Sequence, residues 1–196
     1  MIFDDKDFVK KLNQDLNNGA VVAFVTDTVW GVGCLPNNEK AVEKIYELKD
    51  RDRSKPLILM SNSVKNLTPY VKEMPQKAQA LIEKHFPGAL TLIFEKTEKT
   101  PDYITSYKNT VGIRVPDNRV FAKLCEVVDG NVLATTSANL SNFPPATSYE
   151  EAIEYIGKYV DYVFEDYGNK SKGLASTVAL AISDDIKVLR QGEIVL

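Results

Sequence analysis

The amino-acid sequence predicts an α/β layer protein, and three observations carry that reading. Segments with apolar residues at helical spacing alternate along the chain with short apolar runs of strand length. The first such run, Ala20 to Val25, is continuously apolar, as expected of a strand buried on both faces. No internal repeat, low-complexity tract or linker interrupts the alternation over 196 residues, which predicts one domain spanning 1–196.

Phe8, Leu12 and Leu16 recur every four residues and predict a helix that Asn18-Gly19 closes. Val42, Ile45, Tyr46 and Lys49 mark a second helix, and Leu57 to Met60 the next strand. Pro75 opens a third helix carrying Ala78, Leu81 and Ile82, which ends before Pro87-Gly88. Leu90 to Phe94 and Val111 to Val115 read as strands. Phe121, Leu124, Cys125 and Val128 share a helix face, followed by a strand from Val132 to Thr135. Ser148 with Glu151 forms a capping box ahead of Ala152, Ile153 and Ile156. Tyr162 to Glu165, Thr177 to Ile182 and Ile186 to Leu189 complete the β content.

Composition narrows the function classes. A net charge of −3 argues against a generally basic nucleic-acid coat, so anion binding must come from local clustering. Two cysteines, Cys34 and Cys125, are too few for a disulfide scaffold and read as buried thiols of a reducing compartment. The N-terminus has no apolar signal-peptide core, and no apolar run reaches the ~18 residues of a membrane span. A cytoplasmic location is expected. The single histidine, His85, sits in a helix tail without a nucleophile elbow and reads as structural. No cysteine pair has ligand spacing, so no protein-bound metal is expected.

Five polar segments could carry chemistry, several of them at strand ends, where open α/β sheets usually bind ligands. Lys49, Arg51, Arg53 and Lys55 alternate with Asp50, Asp52 and Ser54, and Pro56 follows. In an extended backbone that spacing places all four cations on one side, a geometry suited to a polyphosphate. The alternative is a solvated charged loop after a helix. Thr26-Asp-Thr-Val-Trp-Gly-Val-Gly33 reads as a polar turn after a strand, with hydroxyls on Thr26 and Thr28 and no match to a Walker or dinucleotide loop. Asp27 is a candidate for phosphate-linked magnesium. Thr135 to Asn142 supplies Ser137, Asn139 and Ser141, either to hold a nucleotide or to fold onto its own backbone. Arg114, inside an apolar strand, needs a carboxylate from the protein or from a ligand. Arg190 within Leu189-Arg-Gln-Gly192 is a last candidate.

Seven blocks together resemble the YrdC family of threonylcarbamoyl-AMP synthases, in its short TsaC type. They are Thr-Asp-Thr-x-Trp-Gly at 26–31, Lys-x-Arg with Lys-Pro-Leu at 49–57, and Pro-Gly-x-Leu-Thr at 87–91. Val-Gly-Ile-Arg-x-Pro at 111–116, Thr-Ser-Ala-Asn-x-Ser at 136–141, Ser-Thr-Val at 176–178 and Leu-Arg-x-Gly at 189–192 follow in the family's order. The resemblance implies a twisted mixed sheet flanked by helices around a basic cavity. It implies that L-threonine, bicarbonate and ATP, the last with Mg2+, give threonylcarbamoyl-AMP and pyrophosphate. Partner proteins would then transfer the threonylcarbamoyl group to tRNA beside the anticodon, with tRNA contacted directly or indirectly.

By resemblance Lys49, Arg51 and Lys55 face the triphosphate, with Lys49 and Arg51 catalytic. Ser137, Asn139, Ser141 and Arg190 hold the nucleotide, and Thr28, Arg51, Arg114 and Ser176 lie near threonine. The chain departs from the family where Val25 replaces Pro and Trp30 replaces Tyr, and also at Ala89, Asn118 and Asn142. Two other readings accompany this one: a non-catalytic RNA-binding or ribosome-assembly module, and a carbamoyl-transfer module like that of hydrogenase maturation factors.

Overall fold

The computed structural model describes residues 1–141 and 143–196, so Asn142 lies outside the described residues. Helix α1 spans Lys6–Asn17; the Asp5 side chain accepts from the amides of Asp7 and Phe8, and Leu12 and Leu16 are buried. Gly19, at φ +102°, turns the chain into β1, Val22–Phe24. The next strand, β2 (Gly31–Cys34), occupies the second half of the segment expected to be a turn. Its glycines conceal it from a propensity reading. A Cβ on Gly31 would lie 2.6 Å from the Phe24 ring, so this strand position needs glycine for close approach.

Asn38 caps α2 (Glu39–Lys49), which ends at Asp50 in the left-handed region. There follow β3 (Ile58–Ser61), the short α3 (Val64–Leu67), α4 (Gln76–His85), β4 (Leu90–Glu95) and β5 (Thr110–Arg114). The chain continues through α5 (Arg119–Val127), β6 (Val132–Ser137), α6 (Tyr149–Ile156), β7 (Tyr162–Val163), β8 (Thr177–Leu180) and β9 (Lys187–Arg190). At α6 half of the expected capping box forms. Ser148 Oγ accepts from the Glu151 amide, but the Glu151 carboxylate reaches Thr147 instead of Ser148. Among the described residues no helix is long and apolar enough to cross a membrane.

Among the described residues the strands form one nine-stranded mixed sheet in the order β7-β1-β2-β6-β3-β5-β4-β8-β9. Pairs β1–β7, β3–β5 and β4–β8 are parallel, and the others antiparallel. Register across the middle of the sheet aligns Ile58 with Thr135 and Gly112, and Leu59 with Ala134 and Ile113. Because side chains alternate between faces, this register sorts the central strands into two populations. Leu59, Ile113, Ala134, Leu92 and Ala179 are fully buried and join the core, to which α2 gives Val42 and Ile45 and α5 gives Phe121 and Leu124. The alternate set, Thr135 and Ser137, Ile58 and Met60, Thr110, Gly112 and Arg114, Thr91 and Ile93, lines a cavity of about 530 Å³. The cavity therefore lies on one face of the sheet, across β6, β3, β5, β4 and β8. That differs from the strand-end position expected of an open parallel sheet, because five neighbouring strands of mixed direction share a single polar face.

Candidate active site

Val178 of β8 and Ser176 just ahead of that strand extend the cavity, and Arg190 reaches it from the edge strand β9. Thr26, Thr28 and Trp30, from the β1–β2 connection, form another wall. Among the described residues four cations line it, Arg51, Lys108, Arg114 and Arg190, and no carboxylate does. The volume suits a ligand of drug to nucleotide size.

Arg114 is buried, and the protein supplies its carboxylate: Nη2 lies 2.5 Å from Asp27 Oδ1. Its Nη1 donates to Thr28 Oγ1 at 2.8 Å, and its Nε to the Gly88 carbonyl at 3.0 Å. These bonds use three of five N–H groups, so a fork edge remains for a ligand. Burial pushes the Asp27 carboxyl up, against the opposing pull of Arg114. With Asp27 committed to this pair, and no group of three His, Cys, Asp or Glu placed to hold a metal among the described residues, a cation here would arrive ligated by substrate phosphates. Arg190 grips Ser176, donating through Nη2 to the carbonyl at 2.8 Å and to Oγ at 3.2 Å; Ser176 Oγ also lies 3.0 Å from Thr91 Oγ1.

The basic row does not form as one extended face. Asp50 adopts φ 47°, ψ 47°, and Asp52 to Lys55 closes a turn through the Lys55 amide and the Asp52 carbonyl. The four cations therefore diverge. Lys49 is buried, its ammonium ringed by the carbonyls of Ser137 (2.5 Å) and Asn139 (2.5 Å) and by Asn139 Oδ1 (2.9 Å). Burial, with Arg51 beside it, pulls its pKa down to about 7. Arg51 lines the cavity, fixed by bonds from Nε to Lys55 O and Nη2 to Pro56 O, each at 3.1 Å. Arg53 pairs with Glu43 on the exterior. Lys55 is exposed and contributes its carbonyl, which accepts from Arg51 and Tyr46.

The Ser-Ala-Asn loop folds onto itself around that buried lysine. Asn139 Oδ1 also accepts from Ser137 Oγ (2.6 Å), and Asn139 Nδ2 donates to Leu140 O and Phe143 O. Ser141 donates its amide to Lys49 O. Ser137 lines the cavity, whereas Lys49, Lys55, Asn139 and Ser141 do not. Lys49 and Asn139 thus shape the loop that presents Ser137. Two polar cavity residues, Lys108 and Thr110, were not singled out from the sequence. Lys108 stands two residues ahead of β5 and Thr110 begins it, and their period-two spacing with Arg114 was a usable signal. Trp30 is fully buried, and its Nε1 has no hydrogen-bond partner among the described residues.

Residues 14–192 match the family model of Sua5, yciO and yrdC proteins, described as "Telomere recombination". The chain belongs to the Sua5/YciO/YrdC family. It is 32% identical over 179 residues to a threonylcarbamoyl-AMP synthase of Vibrio campbellii, covering 90% of this chain and 95% of that one. To the threonylcarbamoyl-AMP synthase of Pyrococcus abyssi it is 36% identical over 164 residues, 83% of this chain but 47% of that protein. The chain thus spans about half the length of the Pyrococcus relative. The crystal structure of P. abyssi Sua5 complexed with L-threonine superposes with a TM-score of 0.87 at 32% identity, over 96% of this chain and 55% of that one.

Proposed function

We propose that this chain is an L-threonylcarbamoyladenylate synthase, converting L-threonine, bicarbonate and ATP to threonylcarbamoyl-AMP and pyrophosphate. One observation carries the reading: in a family whose curated relatives bear that activity as their name, the cavity here is lined, among the described residues, by four cations and no carboxylate. Three anions, a carboxylate, a carbonate species and a triphosphate, match such a surface.

Bicarbonate gives carbon dioxide and hydroxide; the neutral threonine amine adds to the carbon dioxide, and the proton it sheds combines with that hydroxide as water. The carbamate oxygen then attacks the α-phosphate in line, and pyrophosphate leaves with the electron pair of the broken P–O bond. No strong protein base lines the cavity, so rate would come from positioning and charge neutralisation. The free edge of Arg114, with Thr28 and Ser176, would orient threonine; Arg51, Ser137 and Arg190 would hold ATP. Lys49, Asn139 and Ser141 act by fixing the loop, and Lys55 by the carbonyl that anchors Arg51. Magnesium would enter with ATP and neutralise its phosphates. A single domain, 1–196, would carry the activity in the cytoplasm and pass its product to a transferase acting on tRNA.

Pyrophosphate release tests the proposal, with ATP, L-threonine and bicarbonate each omitted in turn. Release that requires all three is expected; release indifferent to threonine would sink the reading. The RNA-binding alternative instead predicts tRNA affinity without any turnover.

A further inference from the structure

We infer that Lys108 is a phosphate-binding residue, supplying with Arg51 a cation for the departing pyrophosphate. The inference rests on the synthase reading and adds a residue that none of the family-like blocks contains.

Lys108 is exposed yet lines the same cavity as Arg51 and Thr110. Lys11, Lys44, Lys72, Lys96, Lys123 and Lys172 each lie within 4.0 Å of a carboxylate. Among the described residues Lys108 has no such partner. Other cavity cations are partly spent: Arg114 on Asp27, Arg190 on Ser176.

The backbone that presents Lys108 is unusual. Ser106 and Tyr107 are consecutive non-glycine residues at φ 53° and 61°. Side chains disfavour that region, and such residues persist only where the surrounding structure enforces them. The enforcement is visible. Tyr107 N donates to Asp102 O at 2.9 Å, Lys108 N to Thr105 O at 3.1 Å, and Leu57 N to Ile104 O at 2.9 Å. The Tyr46 hydroxyl completes it, 2.9 Å from Lys55 O and 3.3 Å from Ser106 Oγ. Lys55 O also accepts from Arg51 Nε. One tyrosine therefore cross-links the turn that carries Arg51 to the turn that carries Lys108. Two cations held on linked turns and lining one cavity suit a polyanion that must bind and then leave. A lysine suits the second position because its ammonium is a point charge on a flexible stem.

The test compares wild type with Lys108→Ala, Lys108→Arg and, as a control, the exposed Lys65→Ala. Turnover is measured against ATP and threonine, binding of inorganic pyrophosphate by calorimetry, and Tm by scanning calorimetry. Lys108→Ala should raise both the KM for ATP and the Kd for pyrophosphate by about tenfold. The KM for threonine and the Tm should stay at the wild-type values, Lys108→Arg should restore most of the affinity, and Lys65→Ala should change nothing. Pyrophosphate affinity within twofold of wild type for Lys108→Ala would overturn the inference. So would a loss shared equally by threonine and accompanied by a lower Tm, which would make the lysine structural. If wild type itself shows no threonine-dependent turnover, the synthase reading fails, and the pyrophosphate titration still decides whether Lys108 binds phosphate.

Discussion

At Lys49 three oxygen acceptors surround one buried ammonium, which needs all three of its N–H groups to satisfy them. Lys49→Met would leave the Asn139 carbonyl without its donor, since Ser137 O keeps the Asn139 amide and Asn139 Oδ1 keeps Ser137 Oγ, and should lower Tm by roughly 2–12 °C, at about 1–3 kcal/mol per unsatisfied group and 2–4 °C per kcal/mol in a chain of this size. A lysine that only touched solvent and phosphate would leave Tm unmoved. The residue also predicts a pH dependence. Unfolded Lys49 keeps its proton up to about 10.4, whereas the folded residue releases it near 7. Between those values the unfolded state binds more protons, so this group's contribution to stability rises with pH. ATP affinity should move the other way, because a neutral amine offers two donors to three acceptors and slackens the loop that holds Ser137. Titrations at pH 6.5 and 8.5 should show weaker ATP binding at the higher pH in wild type, and Lys49→Met should lack that difference. Asp27→Asn probes the other buried charge: a guanidinium left without its carboxylate should cost on the order of 3 kcal/mol, read as a clear drop in Tm by calorimetry.

Among the elements, the loops decide the site, and they were the least legible. Amphipathic helices such as α1 and α5 follow from their spacing because packing one face on a sheet demands that period. The strand β2 did not, because Gly31 answers to the Phe24 ring, a partner seven residues away, and not to local propensity. Arg114 stood out inside an apolar strand, Thr28 in a polar turn and Arg190 near the end of the sequence, whereas Ser176 came from the family resemblance alone; all four line the cavity. The basic row misled because an alternating charge pattern says nothing about a left-handed residue at Asp50 that breaks the extended path. Gly192 offers a test of how tightly the last strand sets the site. A Cβ there would lie 2.2 Å from Ala175 O and 2.5 Å from Ser176 O, both backbone atoms that cannot swing aside. Gly192→Ala should therefore part β9 from β8 and draw Arg190 off Ser176, costing about 1–3 kcal/mol. Steady-state kinetics should show the KM for ATP rising more than that for threonine, alongside a lower Tm.

Over the whole molecule, charge is segregated. The chain is net negative, at −3, and many exposed cations sit in surface ion pairs. The cations that line the cavity stand apart from those surface pairs, so positive potential is concentrated where a small anion fits and a duplex does not. Low-dielectric walls around like charges focus that field. Salt should then act very differently on two ligands. A folded RNA bound along an exterior loses affinity steeply with salt, with a log–log slope near −0.9 per phosphate contacted in a duplex. For this chain, filter binding of tRNA across a salt series should show weak affinity and a slope no steeper than about −3. ATP, drawn into a partly enclosed site, should lose affinity more gently, because buried charges are screened less than exposed ones. A steep tRNA slope with tight binding at physiological salt would mean that the exterior, and not the cavity, carries the electrostatics, and would favour a chain that holds RNA over one that hands its product to a partner.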